Sequence, residues 1–111
     1  MARKRKFQPI VIEVDEPTEV FQSHRHEISK AIVQAIDYGI SYKKKKVDFA
    51  KVIVNGVMVI TLSIDSGEFT DLLDEQLDTL VEFEEYEICA LLMKLKDKLN
   101  GKVTKKARVV V

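Results

Sequence analysis

The chain has one cysteine (Cys89), no tryptophan, four glycines and two prolines in 111 residues. A single cysteine excludes an internal disulfide and a cysteine-based zinc site. So few glycines leave no glycine-rich loop to cradle a phosphate. No apolar run approaches the roughly 20 residues of a membrane-spanning helix. The best stretch, residues 52–64, is interrupted by Asn55-Gly56, Thr61 and Ser63. No long apolar segment follows the opening Met-Ala-Arg-Lys-Arg-Lys, so no secretory signal is expected. Net charge is absent as well, with 18 basic and 18 acidic residues.

Hydrophobic residues make up 46% of the chain and charged residues 32%, enough to bury one core and stay in solution. The zero charge is a sum of segregated blocks. Residues 65–87 carry ten acids and no Lys or Arg, whereas residues 94–108 carry seven bases against Asp97 alone. Further bases cluster at Arg3-Lys4-Arg5-Lys6 and at Lys43-Lys44-Lys45-Lys46. Such segregation creates strong local fields at zero net charge.

Phe7 to Val14 reads as a strand, with Ile10, Ile12 and Val14 on one side and Val11 and Glu13 on the other. Pro9 suits a strand start or an edge. Pro17 fits a first helical turn, and the acids around it favour the positive end of the helix dipole. Residues 18–38 form an amphipathic pattern through Phe21, His24, Ile28, Ala31, Ile32, Ala35 and Ile36, with Gly39 as a stop. Ile40 to Lys46 is then a loop.

The sharpest local signal is Asn55-Gly56 between two β-rich runs, the preferred pair for a two-residue hairpin turn. That turn sets Val54 opposite Val57, Val52 opposite Val59, Ala50 opposite Thr61 and Asp48 opposite Ser63. The other face carries Val47, Phe49, Lys51, Ile53, Met58, Ile60, Leu62 and Ile64, and is the expected core side. Val52, Val54, Val57 and Val59 are then left outside, which predicts an interface covered by a partner.

Asp65 with Glu68 three residues later predicts a capping box. A leucine stripe runs through Leu72, Leu73, Leu77, Leu80 and Val81 and resumes at Ile88, Cys89, Leu91, Leu92, Leu95 and Leu99, with Asn100-Gly101 as a stop. One unbroken helix over residues 68–99 would be about 48 Å long, so a break near residues 82–86 is expected. Val103 to Val111 alternates and reads as a last strand at an edge. The expectation is an α+β fold of order βαββα(α)β. It has a four-stranded antiparallel or mixed sheet with helices on one face, ferredoxin-like or related. A basic arm over residues 1–6 precedes one domain over residues 7–111.

Leu77 to Leu99 (LDTLVEFEEYEICALLMKLKDKL) resembles the UVR-type motif found at the end of the nucleotide-excision-repair helicase and in the repair protein that pairs with it. Glu85-Tyr86-Glu87 stands at the turn signature, Ala90 at the small packing position, and Lys96-Asp97 and Leu99 at the end of the second helix. The resemblance implies a helical hairpin that makes a protein–protein contact, so segment 68–99 is a candidate surface for a protein partner. The small, Lys- and Ile-rich character is also similar to that of accessory proteins of large phages.

Candidate chemistry is sparse. His24 and Glu27 share a helix face, but zinc needs three or four ligands and no third is in local reach. Cys89 follows the densest acidic run, the wrong setting for a thiolate. Asp71, Asp74, Glu75 and Asp78 lie opposite the leucines, as on a solvated helix face. No set of side chains here points to an enzyme or to a cofactor. Tyr38, Tyr42 and Lys43–Lys46 combine aromatics with bases, the pairing that stacks on nucleobases and neutralises phosphates. The fold order is that of the RNA-recognition domain, but its sheet aromatics are missing from the third strand.

Two readings follow. One is a small non-enzymatic interaction or structural protein, homo-oligomeric through Val52, Val54, Val57 and Val59. The other is a nucleic-acid-associated protein that holds phosphate through Arg3, Lys4, Arg5, Lys6, Tyr42, Lys43, Lys44, Lys45, Lys46, Lys105, Lys106 and Arg108. Neither requires a membrane, and the expected location is cytoplasmic, or the virion if a phage encodes the chain.

Overall fold

A computed structural model describes the backbone of residues 7–110 and the side chains of residues 7–99. The chain is a mixed α+β fold. Three strands, β1 (Ile10–Val14), β2 (Lys46–Val54) and β3 (Met58–Asp65), lie in the order β1-β2-β3. β1 runs parallel to β2, and β2 antiparallel to β3. The helices are α1 (Glu19–Ser23), α2 (Arg25–Ser41), α3 (Phe69–Glu82) and α4 (Tyr86–Val110).

β1 alternates as its sequence requires, with Ile12 and Val14 buried and Val11 and Glu13 exposed. The expected helix over residues 18–38 is two helices. The break falls at His24, whose carbonyl accepts the Ile28 N–H at 2.9 Å and so begins α2. The break resets the helical phase: Val20 is buried, and Phe21, expected in the core, is exposed. Ahead of α1, the Glu19 carboxylate accepts the backbone N–H groups of Asp15 at 2.7 Å and Glu16 at 3.0 Å. Those two bonds hold its pKa below the usual carboxylate value.

Gly39 is not a stop. α2 continues to Ser41 and Gly39 is buried within it. A Cβ there would lie 2.7 Å from Phe69 Cζ and 3.2 Å from Val47 Cγ2, so the glycine lets α3 and β2 close onto α2. The left-handed residue that ends the helix is Lys43, at φ 55°, and the Lys44 N–H bonds back to the Gly39 carbonyl at 2.9 Å.

The Asn55-Gly56 turn is present, with both residues at positive φ and the Val57 N–H on the Val54 carbonyl at 3.0 Å. The register beyond it differs from the expected one. Val54 pairs with Met58, Ile53 with Val59, Val52 with Ile60 and Ala50 with Leu62. An irregularity between Asp48 and Ala50 restores the expected pairs Asp48–Ser63 and Val47–Ile64. One extra residue at the turn is thus cancelled by a bulge at Phe49. Phe49 and Ala50 are both buried, and the inward face switches there from Val47 to Ala50, Val52 and Val54. Val52 and Val54, expected outside, are therefore core residues at 1% and 8% exposure.

The capping box forms on the short 3-10 turn Ser66–Glu68 that leads into α3, where the Glu68 carboxylate accepts the Asp65 N–H at 3.1 Å. The leucine segment breaks at residues 83–85, within the expected window. Glu84 takes φ 57°, its N–H reaches the Val81 carbonyl at 3.0 Å, and the Glu85 N–H reaches the Leu80 carbonyl at 2.9 Å. This is a Schellman closure built on a glutamate. α4 returns alongside α3, with Lys96 Nζ 2.7 Å from Asp74. Leu73, Leu80, Leu92 and Leu95 fill the helical side of the core, and Ser29 donates to Gln76 at 2.6 Å between α2 and α3.

The expected fourth strand is absent among the described residues. Residues 103–110 continue α4, and Asn100-Gly101 does not interrupt it. Val111, the last residue of the expected strand, lies outside the described residues. Leu95, Leu99, Val103 and Ala107 recur every four residues, so the segment also satisfies helical spacing. Lys, Ala and Arg there are good helix formers.

Candidate functional site

At the end of the sheet where β2 begins, three aromatic rings form a file. The Phe7 and Tyr38 centroids lie 5.8 Å apart, and those of Tyr38 and Tyr42 lie 4.8 Å apart, both pairs tilted. Tyr38 and Tyr42 come together because they are four residues apart at the end of α2. Phe7 is brought to them by the extended segment that leads into β1. Tyr42 is 40% exposed at the outer end of the file.

Lys43 to Lys46 follow directly, and all four are exposed. The backbone of Lys43 and Lys44 closes α2, and the side chains stand in solvent. The carbonyl end of α2 also favours cations there. In the β2–β3 register Asp65 stands opposite Lys46.

Two grooves flank the file. One, of about 380 Å³, is lined by Phe7, Gln8, Gln34, Asp37, Tyr38 and Tyr42. The other, of about 440 Å³, is lined by Phe7, Tyr38, Lys44, Lys46, Asp48 and Lys51. Asp48 accepts a hydrogen bond from Ser63 at 2.5 Å. Tyr42 and Lys43–Lys46 were legible in the sequence, while Phe7, Gln8, Gln34, Asp37 and Lys51 join them only through the fold. Of the other expected phosphate contacts, Arg3, Lys4, Arg5 and Lys6 lie outside the described residues. Lys105, Lys106 and Arg108 fall within α4, but their side chains lie outside them too.

The expected valine interface divides. Val57 and Val59 are exposed at 82% and 60%, next to Met58 at 56%, whereas Val52 and Val54 are buried inside their own chain. Val11 is also exposed on the open side of the sheet.

The turn between α3 and α4 is occupied within the chain. His26 stacks on Phe83 with centroids 4.5 Å apart and an interplanar angle of 3°. Its Nε2 lies 2.5 Å from Glu85 Oε2, Lys30 Nζ lies 3.4 Å from the same oxygen, and Arg25 bonds Glu82 at 3.2 Å. The His26 hydrogen bond, then Lys30, holds the Glu85 carboxyl below its usual range. His24 Nδ1 meets Glu27 at 2.6 Å, as their spacing implies. Among the described residues no group of three or more His, Cys, Asp or Glu side chains is placed to hold a metal ion. None of the described helices is long and apolar enough to cross a membrane. Cys89 is half-buried against the core.

No family model, no curated protein and no solved structure matches this chain.

Proposed function

We propose that the chain is a small non-enzymatic binding protein for nucleic acid. The observation that carries this reading is the file Phe7–Tyr38–Tyr42, edged by Lys43, Lys44 and Lys45 on a capped turn. Exposed lysines neutralise phosphates and release counterions, and an exposed tyrosine offers a stacking surface. Arg3 to Lys6 precede Phe7 in sequence and add four more cations to the segment that ends at the file. The test is fluorescence anisotropy with labelled oligonucleotides from about 50 to about 200 mM salt, where phosphate contacts predict a steep loss of affinity. The triple variant Lys43→Ala, Lys44→Ala, Lys45→Ala flattens that salt dependence. Salt-independent binding, or none at low salt, refutes the reading.

A second reading is self-association through β3. β3 is an edge of the sheet, and Val57 to Ile64 contains no charged residue. The opposite edge, β1, is five residues long, carries Glu13 and follows Pro9, devices that blunt an edge. An antiparallel second copy matches inward Ile60 and Leu62 with inward residues and Thr61 with Thr61, with no like charges opposed. Sedimentation should show a dimer at high concentration that Thr61→Lys abolishes. A monomer unchanged by Thr61→Lys refutes it.

A further inference from the structure

We infer that the paired grooves take a single strand with unpaired bases, and that each groove receives a different part of the nucleotide. This rests on the nucleic-acid reading above and narrows it. Phe7 and Tyr38 line both grooves, so the pair is taken as their common wall. Beyond that wall their chemistry differs.

Among the described residues, the lining of the groove bounded by Gln8, Gln34, Asp37 and Tyr42 includes no cation. Beside the Asp37 carboxylate a phosphate is repelled. The same groups suit a base edge. Two carboxamides both donate and accept, and a carboxylate accepts from the exocyclic amino group of cytosine. Tyr42 supplies an exposed ring at the rim for the base plane.

The groove on the other side presents Lys44, Lys46 and Lys51. Among the described lining residues, Asp48 is outnumbered by these three lysines. Three lysines in the lining suit a backbone of phosphates.

A strand crossing the ring wall therefore lays bases on the Gln8–Gln34–Asp37 side and phosphates on the lysine side. That division requires a free Watson–Crick edge and a base that can leave its neighbours. In a duplex the base edges are paired and the planes stacked, so only the lysine side is satisfied.

The experiment is anisotropy on the full chain with three labelled probes of one mixed sequence: single-stranded DNA, single-stranded RNA and the DNA duplex. Either single strand should bind more tightly than the duplex. Tyr42→Ala should weaken single-strand binding by about tenfold, the effect of losing one stacked base, and leave duplex binding unchanged. Tyr42→Phe should restore it, which also guards against a folding defect. Asp37→Asn should shift the preference among oligo-dC, oligo-dT and oligo-dA, while Lys44→Ala should weaken all three alike and lower the salt slope by about 0.7. Duplex binding equal to single strand, with Tyr42→Ala silent, overturns this inference and leaves the phosphate-binding reading standing. Equal binding of polyphosphate overturns it as well. No binding by any probe at low salt overturns both.

Discussion

Gly39→Ala is the sharpest probe of how the helices are held against the sheet. An alanine at an exposed position in a helix stabilises by about 1 kcal/mol relative to glycine. At Gly39 the added Cβ meets Phe69 Cζ at 2.7 Å and Phe69 Cε2 and Val47 Cγ2 at 3.2 Å. Phe69 and Val47 are themselves buried, at 3% and 4% exposure, so neither ring nor methyl can swing into water. Overpacking of this kind costs about 2 kcal/mol. The net expectation is a loss of about 1 kcal/mol, or a fall in Tm of about 4–8 °C for a domain of this size. Urea unfolding followed by circular dichroism measures it, with the m-value checking that the transition stays two-state. In a Phe69→Leu background the obstructing ring atoms are gone, and the same alanine should become neutral or stabilising. Two results would refute the reasoning. One is a single variant as stable as the parent. The other is an unchanged penalty in the Phe69→Leu background, which would place the cost in the backbone and not in the contact.

Glu84→Gly should stabilise by about 1 kcal/mol, because the glutamate holds the left-handed position of the Schellman closure at φ 57° where glycine has no steric cost; a loss of stability in urea unfolding would show that its side chain matters more than its backbone. The Glu85 carboxyl titrates below its ordinary value of 4.5 in the folded chain. Its contribution is therefore present above about pH 4.5 and is lost as pH falls through the lower folded value. Glu85→Gln should flatten the acid limb of a Tm-against-pH curve, and an unchanged limb would mean that other carboxylates set it. Removing the ring that stacks on Phe83, by His26→Ala, should lower stability by about 1 kcal/mol near neutral pH; a fully neutral result would mean that the α2 contact with the α3–α4 turn does not hold the hairpin in place.

Local chemistry was legible where the local signal had no competitor. The Asn55-Gly56 reversal, the Asp65–Glu68 capping box and the break in the leucine segment are all present. The misreadings have specific physical origins. Phe49 and Ala50 are both apolar, so nothing in the alternation betrays a bulge, yet one bulge reassigns Val52 and Val54 from surface to core. Gly39 reads locally as a helix stop, because its true role depends on Phe69, thirty residues downstream, which the fold brings against it. Residues 103–110 satisfy both a period of two and a period near 3.6. A strand also needs a neighbour to bond, and helical bonds are satisfied within the segment.

The candidate site was half legible for a related reason. Four consecutive lysines after two tyrosines announce themselves without any fold. What makes them more than a solvated run is convergence. Phe7 is 31 positions away from Tyr38 and comes from the opposite side of α2's connection to the sheet, yet the two rings meet because β1 and β2 are parallel neighbours joined through that helix. The parallel pairing sets Ile10 beside Ala50 with both chains running the same way, so the segment before β1 runs back alongside the first residues of β2 toward the lysines. Asp37 and Gln34 enter the same groove because they lie about one turn or less before Tyr38 on α2. A sequence read as an all-antiparallel sheet would send Phe7 to the opposite end of β2. The chemistry proposed for this surface therefore depends on the direction of β1. Oligonucleotide protection of Gln8, Gln34 and the Lys43–Lys46 turn in one hydrogen-exchange footprint is the expected result, and protection of the lysine turn without the segment before β1 would break the two halves of the site apart.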